Sequence, residues 1–245
     1  MKHVLIISNI PAPYRSGQFA CLRSRFPKWR VSVLYTGKIE ADRVWETDEP
    51  EENTYFLQSK VLSVKGGEVG GTATRFVHLP KGLFKTLNAL KPDVVIAGEY
   101  NFSAVQALFW AKAHGIPFVN MTDGTLRSES YIGTVQKLTR RMIVSGADSF
   151  LASGTKAAEK LLRWGADEER IAIAYLTVDT APFLALTRQP EDGTILYVGR
   201  ISREKGLDLL VQALAKMKIP SVLRVAGNDV GGEEGAAYAL RGGAG

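Results

Sequence analysis

The sequence predicts a doubly wound α/β protein: one Rossmann-like domain, then the start of a second. Three observations carry that prediction. Short β-branched apolar runs alternate with amphipathic stretches along most of the chain, the rhythm of strands and covering helices. Several of the runs lack polar alternation, as expected of parallel strands buried on both faces. A polar, breaker-rich segment, Thr187-Arg188-Gln189-Pro190-Glu191-Asp192-Gly193, then precedes a fresh β–α unit, which marks a linker.

Taken in order, the strand runs are Val4–Ser8, Val31–Tyr35, Val94–Ala97, Phe118–Met121, Phe150–Ala152 and Ile171–Tyr175. Beyond the Pro182–Gly193 boundary come Ile195–Val198 and Val222–Val225. The domains are therefore read as 1–185 and 193–228, with a tail at 229–245. A helical pattern over Phe19–Phe26 puts Cys21 in the core, and a second lies at Tyr131–Ser145. Phe102–His114 sets Val105, Leu108 and Phe109 on one side, and Gly115-Ile116-Pro117 stops it. Thr155–Trp164 turns Ala158, Leu161 and Leu162 inward, with Gly165 as C-cap. Thr36–Leu79 mixes an acidic run with Gly66-Gly67 and Gly70-Gly71 and is long for a plain loop. Short strands are expected within it near Tyr55–Leu57 and Arg75–His78. The Gly-rich tail shows no sustained periodicity, so disorder is expected there, as from a frameshift or a truncated reading frame.

Composition excludes several classes. At 45% hydrophobic and 23% charged residues, the chain is globular rather than fibrous or disordered. One Cys and 3 His rule out a disulfide framework, and their spacing fits no zinc site. A reducing, cytoplasmic setting is expected. No run approaches the ~20 apolar residues of a membrane span. The opening apolar run Val4–Ile7 is too short for a signal segment, so a soluble protein is expected. The net charge of +6 is dispersed and lacks arginine–aromatic interleaving, so no nucleic-acid partner is expected.

The most informative segment is Tyr197-Val198-Gly199-Arg200-Ile201-Ser202-Arg203-Glu204-Lys205-Gly206-Leu207. A strand ends at Gly199, a basic loop follows, and a helix begins near Gly206. Open α/β sheets bind ligands outside the carboxyl ends of their strands. A helix N-terminus there offers free N–H groups and a positive dipole end, both suited to phosphate. Arg200 can fork onto two phosphate oxygens, Lys205 adds a compact cation, and Gly199 permits close approach. Spacing alone leaves a solvated strand–helix turn equally open.

The segment closely resembles the start of the second domain of the retaining GT-B glycosyltransferases of family 4, with their G-R-x-x-x-E-K-G run. The resemblance extends to Asn9-Ile10-Pro11-Ala12-Pro13-Tyr14-Arg15 with Val33-Leu34-Tyr35-Thr36, and to Lys91-Pro92-Asp93-Val94-Val95. It includes Ala147-Asp148 through Ser153, then Trp164-Gly165-Ala166 and Val178-Asp179 before Phe183. Order and spacing together cover nearly all of residues 1–228. The resemblance implies a GT-B fold with an acceptor-side first domain. It implies a nucleotide-sugar donor, a saccharide or lipid-linked acceptor, and retention of anomeric configuration in polysaccharide or glycoconjugate assembly. Arg200 and Lys205, with Gly199 and Gly206, would hold the donor diphosphate, so no metal or other cofactor is called for.

Two departures from the family pattern stand out. Many relatives carry a His in the loop after the fourth main strand; here the position holds Asp123, either a hydrogen-bond acceptor for a sugar hydroxyl or the maker of a local Asp-Gly turn. The family's acidic pair, two Glu eight positions apart, has no counterpart, and Glu233 and Glu234 do not match it. An inactive chain is therefore expected, and a non-catalytic α/β remnant binding acceptor or a protein partner is the rival reading. An epimerase of the same architecture is a second rival, opposed by the Gly199–Gly206 run. Tyr14 and Arg15, in a Pro11–Gly17 loop facing the cleft of such folds, either contact ligand or form a rigid turn. Lys137, Arg140 and Arg141 form either a solvated helix face or one meeting anionic headgroups at the cytoplasmic membrane face. His3, His78 and His114 share no spacing and read as structural or surface.

Overall fold

A computed structural model of the chain describes residues 1–38, 52–65, 74–130, 132–187, 192–201, 205–227 and 238–242. The chain divides into two compact units, Met1–Ser63 with Phe76–Asp179 and Val64–Arg75 with Thr180–Gly245. That division falls a few residues ahead of the linker read in the sequence.

The first unit contains β1 (Lys2–Ser8), α1 (Pro13–Arg25), β2 (Trp29–Tyr35), β3 (Thr54–Phe56), α2 (Leu83–Leu90), β6 (Val94–Gly98) and α3 (Phe102–His114). It continues with β7 (Phe118–Thr122), α4 (Thr134–Gly146), β8 (Ser149–Ala152), α5 (Thr155–Arg163) and β9 (Ile171–Ile173). These strands form one seven-stranded sheet, ordered β3-β2-β1-β6-β7-β8-β9, with every pairing parallel. A separate ribbon pairs β4 (Ser59–Lys65) with β5 (Thr74–Pro80). The sequence reading contains β3 and β5 but not β4. The acidic run before Glu52 and the glycine pairs lie outside the described residues.

Successive strand residues face opposite sides, and here both sides are covered. Leu5, Ile7, Leu34, Val95 and Ala97 join the core beneath α2, α3, α4 and α5. Ile6, Val31, Val33 and Tyr35 pack with Phe19 of α1 on the other face. Double burial is why these runs show no alternation. Asn101 caps α3 by accepting from Ala104 N–H at 2.8 Å, and Gly115 ends it at φ 65, a left-handed turn that glycine enters without a Cβ clash.

The sequence misassigns some helix faces. Phe109 is 54% exposed, because Ala104, Ala107, Leu108 and Ala111 turn α3 onto the sheet. Small residues carry that contact, and a reading weighted to large apolar groups passes over them. Leu162 is 41% exposed, while Ala157, Lys160 and Leu161 are the buried residues of α5. Cys21 is exposed, and Phe19 is the buried residue of α1.

The second unit contains α6 (Ala181–Leu184), β10 (Thr194–Val198), α7 (Leu207–Leu214), β11 (Ser221–Ala226) and β12 (Tyr238–Gly242). β10 runs parallel to β11, and β12 pairs antiparallel with β11 in the register Val225↔Tyr238. The sequence leaves 229–245 unstructured, yet β12 satisfies the open edge of β11 with a strand too short to show periodicity. The rest of that tail lies outside the described residues. Among the described residues no helix is long and apolar enough to cross a membrane.

Candidate functional site

The sheet order places β1 between β2 and β6, so the chain's direction of progress across the sheet reverses at β1. Carboxyl strand ends at such a switch point splay their connections and leave a crevice. The first unit has a cavity of about 380 Å³ there. Ile6, Phe19 and Ile96 supply apolar wall, while Asn9, Arg15, Glu99, Asn101 and Asp123 bring polar groups. Asn101 Nδ2 donates to Asn9 Oδ1 at 3.0 Å, tying the loops after β1 and β6 together.

Glu99, the residue after β6, is the most constrained group in the cavity. Its φ is 58, left-handed for a side chain that seldom adopts it. Its N–H donates to Met121 O at 2.8 Å, and its carbonyl accepts from Asn120 Nδ2 at 2.8 Å. Its carboxyl is held as well: Oε1 accepts from Asp123 N–H at 2.9 Å and Oε2 from Thr122 Oγ1 at 3.2 Å. Burial, then the neighbouring Asp123 carboxylate, push the Glu99 carboxyl up to about 7, against the pull of the Lys160 ammonium.

Beneath Thr122 lies a buried charge network. Lys160, fully buried, donates to Thr122 Oγ1 at 2.7 Å and to Glu129 Oε1 at 3.3 Å. Arg140 Nε lies 2.9 Å from Glu129 Oε2, which also accepts from Trp164 Nε1 at 3.3 Å. Both cations sit against the Tyr100 ring, Lys160 Nζ at 4.7 Å and Arg140 Cζ at 4.8 Å from its centroid. Burial lowers the Lys160 pKa, opposed by Glu99 and Glu129. Arg140 is thus a largely covered ion-pair member, correcting its placement on a basic surface stripe. Lys137 and Arg141 remain exposed.

Of the residues singled out from sequence, the structure brings Tyr14, Arg15 and Asp123 to this cavity. Tyr14 and Arg15 stand in the first turn of α1, which starts at Pro13, rather than in a loop running to Gly17. Arg15 Nη1 reaches Gln18 Oε1 at 3.4 Å and Met121 Sδ at 3.7 Å. Asp123 is exposed and uses its backbone N–H on Glu99, so its local partner is another carboxyl. Sequence reasoning misses Glu99 and Lys160. A charged residue one past Gly98 at the end of the central run, and a Lys directly before the inward Leu161, were the available signals.

Gly199, Arg200, Lys205 and Gly206 lie in the second unit. Gly199, at φ 154, follows β10 and donates to Ala226 O at 2.9 Å. Tyr197 OH donates to Arg200 O at 2.8 Å, closing the turn. Gly206 stands at the start of α7 with φ 67, accepting from Leu210 N–H at 3.0 Å, and Lys205 is exposed beside it. Ser202–Glu204 are outside the described residues. Gly227 is packed so tightly that a Cβ there would fall 1.8 Å from Gly199 O. Among the described residues no group of three or more His, Cys, Asp or Glu is placed to hold a metal.

No known protein-family profile matches the chain. Over 142 residues, 51% of this chain, it is 31% identical to the D-inositol 3-phosphate glycosyltransferase of Pseudarthrobacter chlorophenolicus, spanning 34% of that protein. In fold it is similar to HepE of Anabaena in complex with UDP-glucose, with a TM-score of 0.62 at 13% identity. That match covers 95% of this chain and 62% of HepE. The lipopolysaccharide outer core galactosyltransferase WaaB gives a TM-score of 0.59 at 17% identity, covering 93% of this chain and 61% of WaaB. A UDP-N-acetylglucosamine 2-epimerase gives 0.55 at 12% identity, covering 91% and 62%. The chain therefore spans about a third of its curated relative and about three fifths of its structural neighbours. Its fold is the α/β GT-B type that glycosyltransferases and such epimerases share.

Proposed function

We propose that the chain is the acceptor-side domain and the beginning of the donor-side domain of a nucleotide-sugar-dependent glycosyltransferase, retaining and of family 4. The observation that carries this reading is the sequence match to a glycosyltransferase, on a fold whose neighbours include HepE bound to UDP-glucose. A saccharide or lipid-linked acceptor occupies the first-unit cavity, where Asp123 accepts from a hydroxyl and Tyr14 and Arg15 line the entry. Arg200 and Lys205, beside the α7 N-terminus, hold the donor diphosphate and stabilise the charge that builds on it as the glycosidic bond breaks. Those two cations supply what a metal otherwise would. A cytoplasmic location, with the exposed Lys137 and Arg141 meeting anionic headgroups at the membrane face, suits a lipid-linked acceptor.

The epimerase reading rests on fold likeness at 12% identity, against a glycosyltransferase at 31%. The assay that separates the readings incubates the folded chain with a panel of nucleotide-sugars and monosaccharide acceptors. Transfer with release of nucleoside diphosphate supports the proposal. Interconversion of the free donor sugar supports an epimerase. Neither activity, with acceptor binding retained, supports the non-catalytic reading.

A further inference from the structure

We propose that Glu99, beside Asp123, also reads acceptor hydroxyls in the first-unit cavity, and that buried Lys160, acting through Thr122 Oγ1, positions it. This rests on reading that cavity as the acceptor site. The substrate class it specifies is a polyol, a sugar or cyclitol, that donates a hydroxyl to a fixed carboxyl.

The direction of the hydrogen bonds makes the argument. An ammonium has only donors, so Lys160 must donate to Thr122 Oγ1. Thr122 Oγ1, with its lone pair so engaged, donates its proton to Glu99 Oε2 at 3.2 Å. Asp123 N–H fixes the other carboxyl oxygen. The Asp123 carboxyl also approaches this group, and Glu99 lines the cavity with its carboxyl held from two sides. The backbone is over-determined in the same way. A left-handed glutamate costs free energy and persists only where its surroundings impose it, which happens preferentially at ligand sites. Here Met121 O and Asn120 Nδ2 impose it.

The groups that face this carboxyl come from several elements. Asp123 follows β7, Lys160 projects from α5, Tyr100 adjoins it in the chain, and Arg15 of α1 stands on the same cavity wall. Behind Lys160 stand Glu129 and Arg140. Burial and Asp123 raise the Glu99 carboxyl to about 7, and Lys160 opposes them. Lys160 is therefore a positioning residue that also favours the ionised form of Glu99.

The test uses the full chain, with D-glucose and myo-inositol as probes in ligand-observed NMR, and ¹³C-glutamate labelling to follow the Glu99 carboxyl. The wild type is expected to bind at least one probe, and Glu99→Gln to weaken it about tenfold or more. Thr122→Val and Lys160→Met should move the Glu99 titration to higher pH, with Lys160→Arg restoring it. Circular dichroism checks folding, and Thr122→Val decides alone if Lys160→Met does not fold. No binding of either probe, equal binding by Glu99→Gln, or an unmoved titration in the folded variants overturns the proposal. Sugar transfer with equal probe binding by Glu99→Gln leaves the transferase reading standing and this one refuted. Glu99-dependent binding without transfer does the reverse.

Discussion

Glu129 bridges two cations, Lys160 and Arg140, so removing it should be among the costliest changes in the first unit. Its side chain is 8% exposed, Arg140 is 11% exposed, and Lys160 is fully buried. In Glu129→Ala, Lys160 loses its ion pair and Arg140 its 2.9 Å partner, while both stay against the same Tyr100 ring. Stranding one buried charge costs about 3–5 kcal/mol. Two cations left facing each other put this variant at the upper end of that range. With a urea m-value of about 2 kcal/mol/M, the unfolding midpoint should fall by about 2–2.5 M. Lys112→Ala is the control. Its 2.8 Å pair with Asp148 is 47% and 45% exposed, and solvent screening limits its loss to about 0–1 kcal/mol. Tryptophan fluorescence reports the first unit through Trp29, Trp110 and Trp164. A Glu129→Ala loss no larger than that of Lys112→Ala would refute the network.

Three further outcomes follow from particular contacts. Gly227→Ala should displace the Gly199 turn, because its Cβ would land 1.8 Å from Gly199 O. The expected loss is about 1–3 kcal/mol, seen as early protease cleavage within 180–227, and wild-type resistance would contradict it. Glu99→Gln should flatten the pH dependence of stability. A carboxyl raised to about 7 keeps its proton on folding and binds more protons folded than unfolded, so wild-type stability falls as pH rises from the ordinary carboxylate range through about 7. The slope is at most about 1.4 kcal/mol per pH unit, and urea midpoints across that window should lose it in the variant. Calorimetric titration with UDP should show Arg200→Ala and Lys205→Ala each weakening binding by about 1.5–3 kcal/mol, and unchanged affinity in both would remove them from the diphosphate site.

The sheet was legible because strand burial leaves a one-dimensional trace. Val4–Ser8 and Val31–Tyr35 are covered on both faces, so their apolar runs show no alternation and point to parallel strands. β4 and β12 left no such trace: each pairs in a small separate sheet, and in β4 Val61 and Leu62 are exposed rather than part of a doubly buried run. Helix faces were harder. A 3.6-residue period fixes which residues share a face but not which face meets the sheet, and in α3 the alanines decide it.

The site divides along the same line. Asp123, Tyr14 and Arg15 were recognised by spacing against a known pattern, and all three line the cavity. Glu99 and Lys160 could not be found that way, because their roles depend on contacts across 23, 31 and 38 positions of sequence. A lysine on an inward helix position reads locally as an error in an amphipathic pattern. It becomes sensible only when Glu129 and Thr122 arrive from other elements to hold it. The same reasoning turns such errors into a search rule: where one polar residue interrupts an otherwise consistent buried stripe, the partner that satisfies it marks a constrained site. Here the rule runs from Lys160 to Thr122 to Glu99, and so from the core of the first unit to the wall of its cavity.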